Sequence, residues 1–117
     1  MLVYVCSSLK PHTIRRVDKI LDRFKAQDQD LKLFRPYGTN PKKMMETVRE
    51  DIDAIERCDE LWVLGRFGRD CSFEIGYALA LKKKVIIWED HTNRQKLWSD
   101  WMWRIGKEKG LLEVKKL

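Results

Sequence analysis

The chain has 117 residues, of which 44% are apolar and 36% charged, and a formal net charge of +6. This length and balance describe one globular domain, residues 1–117, able to bury a core and form a pocket. They exclude a disordered or low-complexity polymer.

The elements alternate from the start. Leu2 to Cys6 is a short apolar, β-rich run and reads as a buried strand. Ser7 and Ser8 break it, and Pro11 suits the first turn of a helix. From Thr13 to Phe24, Ile14, Val17, Ile20, Leu21 and Phe24 recur at helical spacing. Leu31 to Phe34 is a second short strand, and Pro36, Gly38, Asn40 and Pro41 mark a loop. Met44, Met45, Val48, Ile52 and Ile55 form a second helical stripe. Leu61 to Leu64 is a third strand, opened by Asp59 and closed by Gly65 and Gly68. A third helix is expected from about Ser72 to Leu81, a fourth strand from Val85 to Trp88, then a Trp-rich fourth helix and a fifth strand from Leu111 to Val114. Such alternation predicts an α/β fold: a doubly wound parallel sheet of about five strands, flavodoxin-like, order 2-1-3-4-5. Ligands in these sheets bind beyond the carboxyl ends of the strands, at the switch point between the first and third strands.

No apolar run reaches the roughly 18 residues of a membrane span. MLVYVCSSLK lacks the basic start and long apolar stretch of a secretory leader. A cytoplasmic location and no membrane partner are expected. The cysteines Cys6, Cys58 and Cys71 are odd in number and far apart, and His12 and His91 are the only histidines. Reduced thiols, no metal and no cofactor are expected. The positive charge favours anionic partners such as phosphates and nucleotides, or serves solubility alone. Its clusters are short, and no helix-turn-helix, RNP or zinc-finger pattern is present, so nucleic acid is not the expected partner.

The stretch Gly68 to Leu81, GRDCSFEIGYALAL, is the most informative. Its helix is apolar nearly all round and reads as buried, with Gly76, Ala78 and Ala80 allowing close backbone approach. Glu74 is expected in its first turn. A carboxylate in such a setting is usually paired or used. An ionised, partly desolvated glutamate at a strand's carboxyl end is a candidate nucleophile; a helix-capping role is the structural alternative. Asp51 lies beside the buried stripe of the second helix and could point along the core edge toward the pocket, or be a solvated surface charge. Asp53 and Glu56 fall on the exposed side, and Asp59 suits a backbone contact in its turn. Tyr4 alternates with Val3 and Val5 near the end of the first strand. Ser7 and Ser8 offer hydroxyls and N–H groups before a helix, a generic anion site, or act as turn and cap residues. Asp70 and Ser72 could cap the third helix or line the pocket. In the fourth helix, Trp98, Trp101 and Ile105 share a face and Trp103 lies off it. That face could pack the core, form a subunit interface or aromatic lid, or, with its flanking Lys and Arg, rest on a membrane surface.

Three segments together resemble the nucleoside 2-deoxyribosyltransferase family, which includes 2'-deoxynucleoside 5'-phosphate N-hydrolases. They are LVYVCSS, EDIDAIERCDELWVL and CSFEIGYALALKKKVIIW, in the family's order, and the resemblance covers residues 2 to 90. It implies that Glu74 is the nucleophile attacking C1' of the sugar. Asp51 would contact the base and help protonate it, Tyr4 would orient the glutamate, and Ser7 and Ser8 would hold a 5'-phosphate. It further implies a nucleoside or nucleotide as substrate, and a homo-oligomer, for which the Trp98–Trp103 helix is available. The chain departs from the transferases in its short Gly65–Asp70 loop. Gly68 stands where they carry an additional aspartate, which Asp70 could replace. The alternative reading is a non-catalytic nucleotide-binding or sensing module on the same fold.

Overall fold

A computed structural model describes residues 1–36, 43–94 and 101–117. Among the described residues nine elements follow one another: β1 (Leu2–Cys6), α1 (Pro11–Gln27), β2 (Lys32–Phe34), α2 (Met44–Arg57), β3 (Glu60–Leu64), α3 (Arg69–Ala80), β4 (Lys84–Glu89), α4 (Trp101–Glu108) and β5 (Leu112–Lys116). The five strands form one sheet in the order β2-β1-β3-β4-β5, every neighbouring pair parallel. The predicted fold class and strand order are thus the observed ones.

Strand periodicity divides the core in two. Tyr4, Cys6, Leu61, Val63, Val85 and Ile87 point to one face and meet Ala54 and Ile55 of α2 and Cys71, Ile75, Ala78 and Leu79 of α3. Val3, Val5, Trp62, Leu64 and Ile86 point to the other face and meet Val17, Ile20 and Leu21 of α1. Both faces are covered, which is why the strands read as continuous apolar runs. In register, Tyr4 lies beside Leu61 and Cys6 beside Val63. The ends of β1 and β3 therefore finish together, and the Ser8 amide donates to the Arg66 carbonyl at 2.7 Å. Gly65 ends β3 at φ +70°, in the left-handed region glycine tolerates. Among the described residues no helix is long and apolar enough to cross a membrane.

Several expectations need correction. The third helix begins at Arg69, three residues before Ser72, with Gly68 as its cap residue. Glu74 consequently sits in the second turn. The helix is not buried all round: Phe73 is 58% exposed. Gly76 faces open space, so it makes no close approach. The close approach is at Gly106, where an added Cβ would stand 2.6 Å from Leu112 Cβ. That contact sets the roll of α4. It turns Met102 and Trp103 toward the core and leaves Trp101 and Ile105 outside. The face carrying Trp101 and Ile105 is therefore not the packing face. Trp98, and the loop residues Gly38, Asn40 and Pro41, lie outside the described residues.

Candidate functional site

Beyond the carboxyl ends of β1 and β3, between α2 and α3, lies a cavity of about 490 Å³. This is the crevice position expected of a doubly wound sheet. Of the residues singled out from the sequence, Ser7, Ser8, Asp51, Asp70 and Glu74 line it. Tyr4 lies beneath, fully buried, and reaches the cavity through Glu74.

Two β1 side chains hold the carboxylate. The Tyr4 hydroxyl donates to Glu74 Oε2, and the Cys6 thiol donates to Oε1 at 3.7 Å. The period of two in β1 puts Tyr4 and Cys6 on the same face of the sheet, directly under α3. Phe34 of β2 stacks on the Tyr4 ring, centroids 5.4 Å apart and planes 16° from parallel, which fixes the phenol. The Glu74 carboxyl is pushed up to about 7, first by burial and then by the charges of Asp51 and Asp70; the bonds from Tyr4 and Cys6 pull the other way. Glu74 stands a turn inside the helix, so burial outweighs any pull of the helix N-terminus toward the ionised form. It makes no capping bond among those observed; its partners are Tyr4 and Cys6. The Tyr4 hydroxyl is itself raised, by burial and by Glu74.

Asp51 projects from α2 into the same cavity and is half-buried. Burial and then the neighbouring Glu50 push its carboxyl up to about 6. Asp53 and Glu56 are exposed, as their helical phase requires, and the Asp59 carboxylate accepts from the Leu2 amide at 2.8 Å.

The serines divide. Ser7 is buried, and its hydroxyl accepts from Arg35 Nη1 at 3.0 Å. Ser8 Oγ accepts from the Lys10 amide at 3.3 Å, a turn contact before α1. Ser72 turns its hydroxyl back to the Gly68 carbonyl at 2.9 Å within α3, whereas Asp70 borders the cavity.

Sequence reasoning missed Arg35. Its guanidinium is nearly enclosed, with a side-chain exposure of 7%, and pairs with Asp18 at 2.9 Å. No sequence signal marks it: it follows β2, and the parallel pairing of β2 with β1 brings it to Ser7, the residue after β1. Sequence reasoning also missed the cavity's apolar lip, Met44, Val48 and Phe73, which had been read as helix-core positions. Finally, the fold brings Cys71 to Cys6 and Glu74; the two sulfurs and a carboxylate oxygen lie within 4.8 Å of one another.

No protein-family model matches the sequence, and no curated protein does. Solved structures do match. The fold is similar to that of a 2-deoxyribosyltransferase from Bacillus psychrosaccharolyticus, with TM-score 0.61 and 17% identity over 75% of this chain and 72% of that one. It is similar to a CMP N-glycosidase from Clostridium botulinum, with TM-score 0.58 and 17% identity over 100% of this chain and 87% of that one. A conserved protein from Enterococcus faecalis aligns with TM-score 0.68 and 16% identity, over 100% and 91%. These likenesses establish a shared fold.

Proposed function

We propose that this chain is a member of the nucleoside 2-deoxyribosyltransferase family and cleaves the N-glycosidic bond of a 2'-deoxyribonucleoside 5'-phosphate or nucleoside. The observation that carries the reading is the Glu74 carboxylate, held from below by Tyr4 and Cys6, opening into a cavity that Asp51 borders from the facing helix. The matching segments of sequence and the shared fold support it.

Breaking an N-glycosidic bond passes through an oxocarbenium-like state. It needs one carboxylate to stabilise or capture C1' and an acid to protonate the departing base. Glu74 takes the first role. Asp51, whose raised pKa retains a proton more readily than an ordinary aspartate, takes the second. Tyr4 is a positioning residue: its bond to Oε2 leaves Oε1 turned to the Cys6 side and sets the carboxylate's direction. The apolar lip of Met44, Val48 and Phe73 suits the face of a base. Ser7, with the Arg35 guanidinium on its hydroxyl, and Ser8 suit the 5'-phosphate. Asp70 borders the sugar end. Water completes a hydrolase and a second base completes a transferase. A homo-oligomer belongs to the same reading, with the exposed Trp101 and Ile105 of α4 as its contact; light scattering measures it.

The test is chromatography of pooled deoxynucleosides and deoxynucleotides after incubation with the protein. Wild type should release free base and Glu74→Gln should not. An added acceptor base separates transfer from hydrolysis. Full release by Glu74→Gln overturns the mechanism. Thermal stabilisation by nucleotides without any base release identifies the non-catalytic binding module instead.

A further inference from the structure

Cys6 and Cys71 are far apart in the chain, yet the fold closes them on one carboxylate. Cys6 ends β1; Cys71 lies in the first turn of α3, three residues before Glu74 and on the same helix face. Both cysteines are free and buried. The two sulfurs and a Glu74 oxygen all lie within 4.8 Å of one another, and the Cys6 Sγ to Glu74 Oε1 distance is 3.7 Å. A tetrahedral ion with Zn–S near 2.3 Å and Zn–O near 2.0 Å needs its donors about 3.5 to 3.8 Å apart. The Cys6–Glu74 edge already meets this, and the remaining edges, at most 4.8 Å, close with shifts of no more than about 1.3 Å, within reach of side-chain rotation.

The surroundings fit an ion as well. Cys71 and Glu74 border the cavity, which provides a path in and leaves a fourth position for water. Glu74 Oε2 stays on the Tyr4 hydroxyl while Oε1 faces the Cys6 sulfur, so Tyr4 holds the ligand carboxylate from outside the ion. Two soft sulfur donors favour a thiophilic ion and disfavour Ca²⁺ and Mg²⁺, which take oxygen ligands. Cys58 lies apart, its thiol donating to the Ile55 carbonyl at 3.1 Å.

We propose that Cys6, Cys71 and Glu74 form a binding site for a thiophilic divalent cation of the Zn²⁺ class. On binding, each thiol S–H bond breaks, its proton passes to the buffer, and a sulfur–metal bond takes its place. No electron is transferred. The site stands on side-chain geometry alone. Its consequence rests on the proposed reaction: the ion occupies the carboxylate that would attack C1', so zinc inhibits and a chelator restores turnover.

The experiment titrates Co²⁺ into the full-length protein, kept reduced with a phosphine. The expected result is near-ultraviolet thiolate-to-cobalt charge-transfer absorbance with the visible bands of a tetrahedral ion. It saturates at one ion per chain and is bleached by Zn²⁺. Cys71→Ala and Cys6→Ala lose the absorbance, and Cys58→Ala keeps it. Glu74→Gln weakens binding by at least the ~10-fold that loss of even an outer-shell partner costs. Absence of charge-transfer absorbance in wild type overturns the proposal whatever the variants do, as does its retention in folded Cys71→Ala. A base-release assay with and without Zn²⁺ runs alongside. A protein that binds cobalt as described but never releases base refutes the proposed reaction and leaves the metal site standing.

Discussion

The Tyr4 hydroxyl and the Glu74 carboxylate, 70 residues apart in sequence, are hydrogen-bond partners across the sheet-to-helix boundary. Tyr4 is fully buried and its ring stacks on Phe34. Tyr4→Phe should therefore keep the ring packing and remove only the donor. A hydrogen bond to a charged group contributes about 1.5 to 3 kcal/mol. Base release should fall roughly 10- to 100-fold. Because the Tyr4 bond lowers the Glu74 pKa, its loss should also move the ionisation of Glu74 to higher pH. A drop in rate with an unmoved pH profile would mean that the phenol does not act through Glu74.

The two cavity carboxyls should give a bell-shaped pH dependence. Glu74 is pushed up to about 7 and Asp51 to about 6. The groups facing Glu74 are Tyr4 and Cys6 from β1, Asp51 from α2, and Asp70 and Cys71 from α3. The proposed reaction needs Glu74 ionised and Asp51 protonated, the less populated placement of the one proton the pair holds between those values, because Glu74 binds it more tightly. In metal-free protein kcat/KM should rise through about 6 and fall through about 7, values that belong to the pair. Asp51→Asn removes the acid. The falling limb should vanish, leaving a single rise near the Glu74 value. The rate at the optimum should drop by about 100-fold or more. Persistence of the falling limb in Asp51→Asn would remove Asp51 from the acid's role.

Ionisation of Glu74 also links to stability. Its carboxyl has an ordinary value of 4.5 and a folded value of about 7. Between those values the native state holds more protons than the unfolded chain, so stability falls as pH rises through the window. The span corresponds to a loss on the order of 3 kcal/mol. Gln cannot ionise. Urea unfolding at about pH 5 and about pH 8 should show wild type losing stability relative to Glu74→Gln by that order. Parallel losses in the two proteins would mean that Glu74 ionises in the fold as it does in water.

Much of this was legible in the sequence because buried parallel strands write themselves as apolar runs. Val85 to Trp88 could hardly be anything else, and the alternation with helices follows. Glu74 was legible because a carboxylate inside FEIGYALAL conflicts with its neighbours. The start of α3 was not, because Arg69 and Asp70 carry no apolar period and Gly68 caps the helix without a side-chain bond. The exposure of Phe73 was hidden, and the orientation of Trp101 left open, for a different reason. Helical spacing says which residues share a face, while the partner across the interface decides which face is buried. Arg35 follows a strand of three residues and has no periodic context at all. Only the fold shows that it closes on Ser7. The Cys6, Cys71 and Glu74 cluster was hidden likewise, since its members meet only through the β1–α3 contact.

The contrast between Gly106 and Gly76 tests how α4 is seated. Both are helical, so replacement by alanine favours each helix by about 1 kcal/mol. At Gly76 the new methyl meets open space, and Gly76→Ala should stabilise the protein by roughly 0.5 to 1 kcal/mol. At Gly106 the new Cβ would stand 2.6 Å from Leu112 Cβ and 3.0 Å from Leu112 Cδ1. Neither backbone can yield easily there, because the Gly106 carbonyl accepts from the Leu111 amide at 2.9 Å and Leu112 opens β5 against β4. Overpacking of this kind costs about 1 to 3 kcal/mol, more than the helical gain. Gly106→Ala should lower the Tm while Gly76→Ala raises it. Equal stabilisation by both substitutions would show that α4 does not press on β5.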